Sequence, residues 1–315
     1  VDAILKVWED RESKFQKIEV KYSQTDFFPK GSLTDKLFTK TGDVDPPFDT
    51  EHSYNQKIII GNHTKNEIRL EANPLIWHTT KRVFEQKPSL SVYRQGEGKW
   101  LAETGYAPTP KGVLSDTPPP WILVYDILPI TLWLRGTQST LTQIPTHLLE
   151  LGTGTKKIQD KICIPLKLKV GDQSEQIIWV ADDTEALAYQ IEYIDKNKIS
   201  VQIDMEYRNI IQGTSELSAW KKLSFNKING QIKQSATVKI ESIRTDIEIN
   251  DKTFDIIFPK DCIISDQRSN RLSNQENPMF IQFEETSRSY WWLWWTLIPI
   301  IILVGFILLK RFTKL

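Results

Sequence analysis

Residues 187–207, LAYQIEYIDKNKISVQIDMEY, hold two runs of two-residue alternation that meet at Asp195, Lys196 and Asn197. Leu187, Tyr189, Ile191 and Tyr193 share one parity in the first run, and Ile199, Val201, Ile203, Met205 and Tyr207 share one in the second. Successive side chains of a strand point to opposite faces, so each run predicts a strand with one buried face, and the short polar turn joins them as an antiparallel hairpin. The pattern continues in both directions. Upstream, Ile162, Ile164, Leu166, Leu168 and Val170 alternate with Cys163, Pro165, Lys167 and Lys169, which predicts an inward even-numbered face and an outward Cys163. Downstream, Trp220–Phe225 and Ile232–Ile240 predict a hairpin across Asn229 and Gly230, a step that readily takes positive φ. Phe254, Ile256 and Phe258 predict one further strand. Successive hairpins imply an antiparallel meander rather than a parallel sheet.

The N-terminal part opens differently. Ile4, Leu5, Trp8 and Phe15 recur near helical spacing, with Asp2 placed to cap a helix that ends near Gln16. Ile18, Val20 and Tyr22 then alternate with Lys17, Glu19 and Lys21, so helix gives way to sheet within two residues. Lys57–Ile60 and Glu67–Glu71 predict two strands around Gly61 and Asn62, and Val83–Phe84 and Leu90–Tyr93 predict two more. Between them, Asp43 to Pro47 reads as loop, since adjacent prolines supply no ladder donors.

One internal stretch is almost wholly apolar: Trp121–Leu134, WILVYDILPITLWL, broken by Asp126. It is too short to span a bilayer, and Pro129 is expected to kink a helix there. A sheet with one apolar face must pack on something, and only the first helix and this stretch are available. Two readings stand. Either the stretch is buried core, or Trp121, Ile122, Leu123, Tyr125, Ile127, Leu128, Leu132 and Trp133 form a displaceable lid over a cavity that an acyl chain or apolar peptide can enter.

The C-terminal end sets the address. Tyr290–Leu309, YWWLWWTLIPIIILVGFILL, is uncharged and has the roughly 20-residue length of a transmembrane helix. Its tryptophans suit an interfacial belt at one end, and Lys310, Arg311 and Lys314 at the other predict a cytoplasmic tail. The expected order is an extracytoplasmic β domain over 1–283, a linker over 284–289, the helix over 290–309 and the tail over 310–315. That topology calls for export of the N-terminal part by a signal peptide, and it suits the inner (cytoplasmic) membrane of a bacterium. Lysine plus arginine equal aspartate plus glutamate at 40 each, so there is no basic field for nucleic acid. An exported domain with only Cys163 and Cys262 allows one disulfide between them, or two separate thiols.

Catalytic signatures are missing. The four histidines, His52, His63, His78 and His147, have no partners at metal-binding spacing, and no HExxH, CxxC, Walker or GxSxG motif occurs. Asp43, Asp45 and Asp49 lack the position-12 glutamate of an EF-hand loop. Asp182, Asp183 and Glu185 read as a turn between strands. No cofactor is called for.

The order of elements resembles a known group. An N-terminal helix running into a meander, LPITLW at Leu128–Trp133, then Ala219 and Trp220, the Asn229-Gly230 turn, SATVKI at 235–240, FDIIFPKD at 254–261 and SDQR at 265–268 are similar to lipoprotein-sorting-like ectodomains common in planctomycetes, of the LolA/LolB/RseB group. The resemblance covers roughly Asp2 to Arg268. It implies a mainly β (α+β) fold, a curved antiparallel sheet or unclosed β-barrel wrapped on one or two helices, here with a single C-terminal transmembrane helix. The chain departs from the group at Lys260, Asp261 and Cys262, where Gly and Thr are expected before the final strand. The group's carrier is soluble and this chain is expected to be anchored, so the resemblance does not imply ferrying between membranes, and no cargo-binding residue carries over. The expected partners are the bilayer and lipid, lipoprotein acyl chains or apolar peptide, held without covalent chemistry. An envelope protein contacted by an RseB-like sensor or structural subunit is the alternative.

Overall fold

The computed structural model describes residues 1–29, 51–61, 65–73, 75–78, 83–102, 110–119, 127–227, 229–260 and 262–268. Val1–Ser269 forms one unit; Asn270–Leu315 forms a second that lies outside the described residues, and with it the expected linker, transmembrane helix and tail. Among the described residues no helix is long and apolar enough to cross a membrane.

Helix α1 (Asp2–Lys14) leads into β1 (Ile18–Phe27). The strands β2 (Glu51–Ile60), β3 (Ile68–Ala72), β4 (Leu75–His78), β5 (Val83–Gln86), β6 (Ser89–Arg94), β7 (Glu97–Ala102) and β8 (Lys111–Ser115) come next. Two short helices follow, α2 (Leu128–Arg135) and α3 (Ser139–Thr142). The remaining strands are β9 (Glu150–Leu151), β10 (Lys156–Ile158), β11 (Lys161–Gly171), β12 (Ser174–Ala181), β13 (Ala188–Asp195), β14 (Lys198–Ile211), β15 (Thr214–Phe225), β16 (Ile232–Arg244) and β17 (Ile263–Asp266).

Nearly all of these strands join one large, curved, unclosed sheet in the order β10-β11-β12-β13-β14-β15-β16-β1-β2-β3-β6-β7-β8-β17, while β9 pairs with β11 and β4 with β5. β1 is the seam. It pairs antiparallel with β16 from the far end of the chain and with β2, its neighbour in sequence, joining a C-terminal meander to an N-terminal one. The 187–207 hairpin forms as expected, with Lys196 and Asn197 both at positive φ (50° and 61°) in the two-residue turn whose twist suits paired strands.

One sheet face wraps the helices. Trp8, Phe15, Ile18, Val20, Tyr22, Ile58, Ile60, Leu132, Trp133, Ile178, Ile191, Met205, Leu217 and Trp220 belong to a single core. α1 is docked by polar groups as well as apolar ones. Trp8 Nε1 donates to Ala186 O (2.8 Å), Arg11 Nη2 donates to Glu185 O (3.1 Å), and Glu12 accepts from Thr137 N (2.6 Å) and Thr137 Oγ1 (2.7 Å). A Cβ at Gly136 would stand 2.8 Å from the Trp8 ring, so glycine there is what lets α1 reach the end of α2.

Several expectations are corrected. Val1 rather than Asp2 is the N-cap of α1, with no side-chain cap bond; Asp2 lies in the first turn, where its charge still complements the helix dipole. Pro129 does not kink a helix. It stands in the first turn of α2, where its missing N–H has no intrahelical partner to lose. Phe254, Ile256 and Phe258 do not build a ladder strand. A 3₁₀ turn over Asp251–Phe254 continues as an extended strap that packs its inward residues on Val92, Ile59, Leu90 and Leu101, on the sheet face away from the helices. Arg69 Nη1 holds it by donating to Thr253 O (2.9 Å) and Asp255 O (3.3 Å). In β11, Cys163 is buried and Ile162 is 60% exposed, the reverse of the expected parity. Pro165 lies where the neighbour of β11 changes from β10, paired at 161–163, to β9, paired at 166–167, so the residue lacking an N–H sits at the break between two ladders, while Leu166 and Leu168 are buried on the expected even-numbered face.

Candidate functional site

The helix-facing side of the sheet changes character along β1 and β2. Ile18, Val20 and Tyr22 are succeeded on the same face by Gln24 and Asp26. On β2, Ile60 and Ile58 stand opposite Ile18 and Val20, while Gln56, Tyr54 and His52 stand opposite Tyr22, Gln24 and Asp26. One end of the face is hydrocarbon, and the other is a hydrogen-bonded polar ladder. Tyr22 OH donates to Gln56 Oε1 (3.2 Å), Gln56 Nε2 to Gln24 Oε1 (2.8 Å), Gln24 Nε2 to Asp26 Oδ1 (3.0 Å), and Tyr54 OH to Asp26 Oδ2 (2.8 Å). Buried polar groups persist only where their bonds are made, and this ladder makes them between neighbouring strands.

α2 fills the hydrocarbon end. All eight of its residues are buried, the arginine included. Arg135 is 0% exposed, and its guanidinium donates to Leu134 O (2.7 Å), Phe15 O (2.6 Å) and Gly61 O (2.9 Å), pinning the end of α2 to the α1–β1 and β2–β3 connections. Burial pulls its pKa down to about 10, with Glu12 acting the other way, so it stays charged at neutral pH. Trp133 packs its ring 5.5 Å from Phe15, but its buried Nε1 has no acceptor among the described residues, nor has Arg135 Nε a partner among them.

Of the residues expected to form a lid or cavity, Ile127, Leu128, Leu132 and Trp133 come together in the core, and Trp121, Ile122, Leu123 and Tyr125 lie outside the described residues, as does Asp126. The helical part is therefore a core element. Cys163 and Cys262 are not joined in a disulfide: Cys163 lies in β11 near one end of the strand order and Cys262 beside β17 at the other. Burial pushes the Cys163 thiol up to about 11, with Asp183 adding to the effect. The Asp182–Glu185 turn forms as expected: Asp183 Oδ1 accepts from Glu185 N (3.0 Å) and Ala186 N (3.2 Å), presenting the carbonyls that α1 uses. The aspartates at 43, 45 and 49 lie outside the described residues. Among the described residues no three His, Cys, Asp or Glu side chains group for a metal.

Sequence reading missed the polar ladder and Arg135. The signals were present: the alternation that begins at Ile18 runs on through Gln24 and Asp26, and one arginine closes the apolar run LPITLWLR. A further open groove of about 790 Å³ crosses the face away from the helices, lined by Glu206, Arg208, Lys239 and Glu241 around Ser218 and Ala219; its acids and bases balance and select no charge.

No family model matches the chain, and no curated protein matches it in sequence. Among solved structures it is similar to a DUF1329 family protein from Desulfovibrio piger, at 12% identity and a TM-score of 0.48, covering 81% of this chain and 95% of that one. It is similar to a LolA superfamily protein from Nitrosomonas europaea at 10% identity and a TM-score of 0.48, covering 80% and 97%. A chain of the Pseudomonas aeruginosa MucA/MucB complex follows at 9% identity and a TM-score of 0.27, covering 78% and 99%. Identities this low and TM-scores this small carry no argument about what the chain binds.

Proposed function

We propose that the chain is a membrane-anchored, extracytoplasmic and non-catalytic binding module that holds an amphiphile, such as a lipid, lipoprotein acyl chains or an apolar peptide, against the helix-facing side of its sheet. The observation that carries this reading is Trp133. Its indole N–H is buried with no acceptor on the helix that fills the apolar face, and an unsatisfied buried donor is costly enough to call for a partner. An ester or amide carbonyl supplies that acceptor, hydrocarbon gains about 0.8 kcal/mol per CH₂ buried beside it, and the Tyr22–Asp26 ladder on the same face suits a polar head.

The test is lipid extraction and mass spectrometry of the full chain purified from membranes in mild detergent, alongside Trp133→Phe. Co-purifying amphiphile whose retention falls severalfold in Trp133→Phe, with the melting temperature unchanged, is the expected result. An empty chain, with Trp133→Phe neutral or stabilising, overturns it and favours the second reading, an envelope sensor or structural subunit that works through protein contacts. The filled core supports that alternative.

A further inference from the structure

We propose that the β17 end of the sheet is a seat on the lipid headgroup layer of the bilayer that anchors the chain; this rests on the anchoring proposed above. β17 pairs in parallel with β8 and is the last strand of the order, so its other edge is unpaired among the described residues. Ile263 stands beside Lys111 and Ile264 beside Gly112 in the register, and consecutive strand residues face opposite ways, so β17 is apolar on both faces and buries neither: Ile263 is 58% exposed and Ile264 48%. Ile257, on the outward side of the strap just before it, is 89% exposed. Gly112 belongs to the same arrangement. A Cβ there would stand 2.6 Å from the Phe258 ring, so glycine lets the strap lie flat on β8 and turns Ile257 outward. Cationic Lys111 and Lys260 are exposed around these isoleucines, while Asp266 and Asp255 are held by Arg268 (2.6 Å) and Lys99 (2.5 Å).

The occupant follows from where the chain goes. It leaves β17 at Arg268, and only residues 269–289 separate that point from the apolar 290–309 stretch, so this rim is the tethered end of the domain. Of the other exposed apolar residues, Leu148, Leu151 and Ile162 lie at the β9–β11 end of the strand order, and Ile199, Ile210 and Ile232 lie on β14 and β16. An open edge cannot enter hydrocarbon, where its N–H and C=O groups would go unpaired; isoleucines dipping from a hydrated strand, with lysines reaching phosphate, suit the interfacial layer.

The experiment reconstitutes the full chain, one per nanodisc of mixed phosphatidylcholine and phosphatidylglycerol, in a Cys163→Ala, Cys262→Ser background. A fluorophore is placed at Ser265→Cys or, separately, at Leu151→Cys, and quenching by lipids spin-labelled near the headgroup is measured. Quenching about threefold greater at 265 than at 151 is expected, falling to the level at 151 when Ile257→Asp and Ile264→Asp are added; both positions are exposed, and an unchanged melting curve confirms the fold. Equal quenching at the two positions in a chain that floats with liposomes overturns the seat while leaving the anchor. A chain that does not float overturns both. Protection of position 265 only in discs holding two chains assigns the rim to contact between copies and likewise overturns the seat.

Discussion

Arg135 shows how much one side chain can decide. Four carbonyls accept from its guanidinium, those of Leu134 within α2, of Phe15 and Gln16 in the α1–β1 connection and of Gly61 in the β2–β3 connection. Deleting one partner of such a buried set leaves the rest desolvated and unpaired, so the loss exceeds the worth of the bonds themselves. Arg135→Met, which keeps much of the volume, is expected to cost about 3–5 kcal/mol, a large share of the roughly 5–15 kcal/mol available to a domain. Urea unfolding with the slope unchanged is the measurement. A loss under about 1 kcal/mol would show that water enters and satisfies the carbonyls.

Among the elements, α1 is the one whose docking depends on pH. Its Trp8 and Arg11 bonds end on the Asp183–Ala186 turn, which Asp183 closes through two backbone N–H groups while pairing with Lys161 (2.8 Å). Burial alone would raise the Asp183 carboxyl; the bond from Lys161 and the turn N–H groups outweigh it and hold the group below the ordinary carboxylate range. A depressed folded pKa gives stability that is complete above the unfolded value near 4 and is lost as the pH falls through the folded one. Melting temperatures measured from pH 6 down to 2 should therefore drop more steeply for the natural chain than for Asp183→Asn, the two curves converging at the acid end. Parallel curves would mean that the turn is held by its backbone alone.

At the scale of the β domain, the two halves of the sheet are joined at β1, and its two open ends differ. The β10 end turns back on the sheet, with Lys156 of β10 reaching Glu192 (2.9 Å) and Gln159 Nε2 donating to Met205 O (2.9 Å), so that end is protected by its own hairpin. The β17 end has no such cover among the described residues, and in the sequence residues 269–289 lead from it to the 290–309 stretch. If that stretch spans the inner membrane with its basic tail inside, protease added to spheroplasts should digest the β domain and spare a fragment holding 290–315. Protection of the β domain would reverse the orientation. That orientation rests on Lys310, Arg311 and Lys314 opposite a tryptophan-rich flank.

What the sequence determined by itself was local and periodic. Alternation fixed which residues of β1, β13 and β14 face inward, and Lys196-Asn197 and Asn229-Gly230 marked turns, because period and turn chemistry are properties of neighbouring residues. Alternation at Phe254, Ile256 and Phe258 likewise named a buried face correctly but not its setting: a strap lying across a sheet and a strand within one have the same period. Only the tertiary structure decided which partner each segment met. It placed β1 between β16 and β2, buried Cys163 where β11 changes neighbours at Pro165, and turned the lone arginine after LPITLWL into the pin of the core. Each of these depends on groups tens to hundreds of residues apart, and hydrophobic periodicity holds no information about which distant segment will supply the other half of a contact.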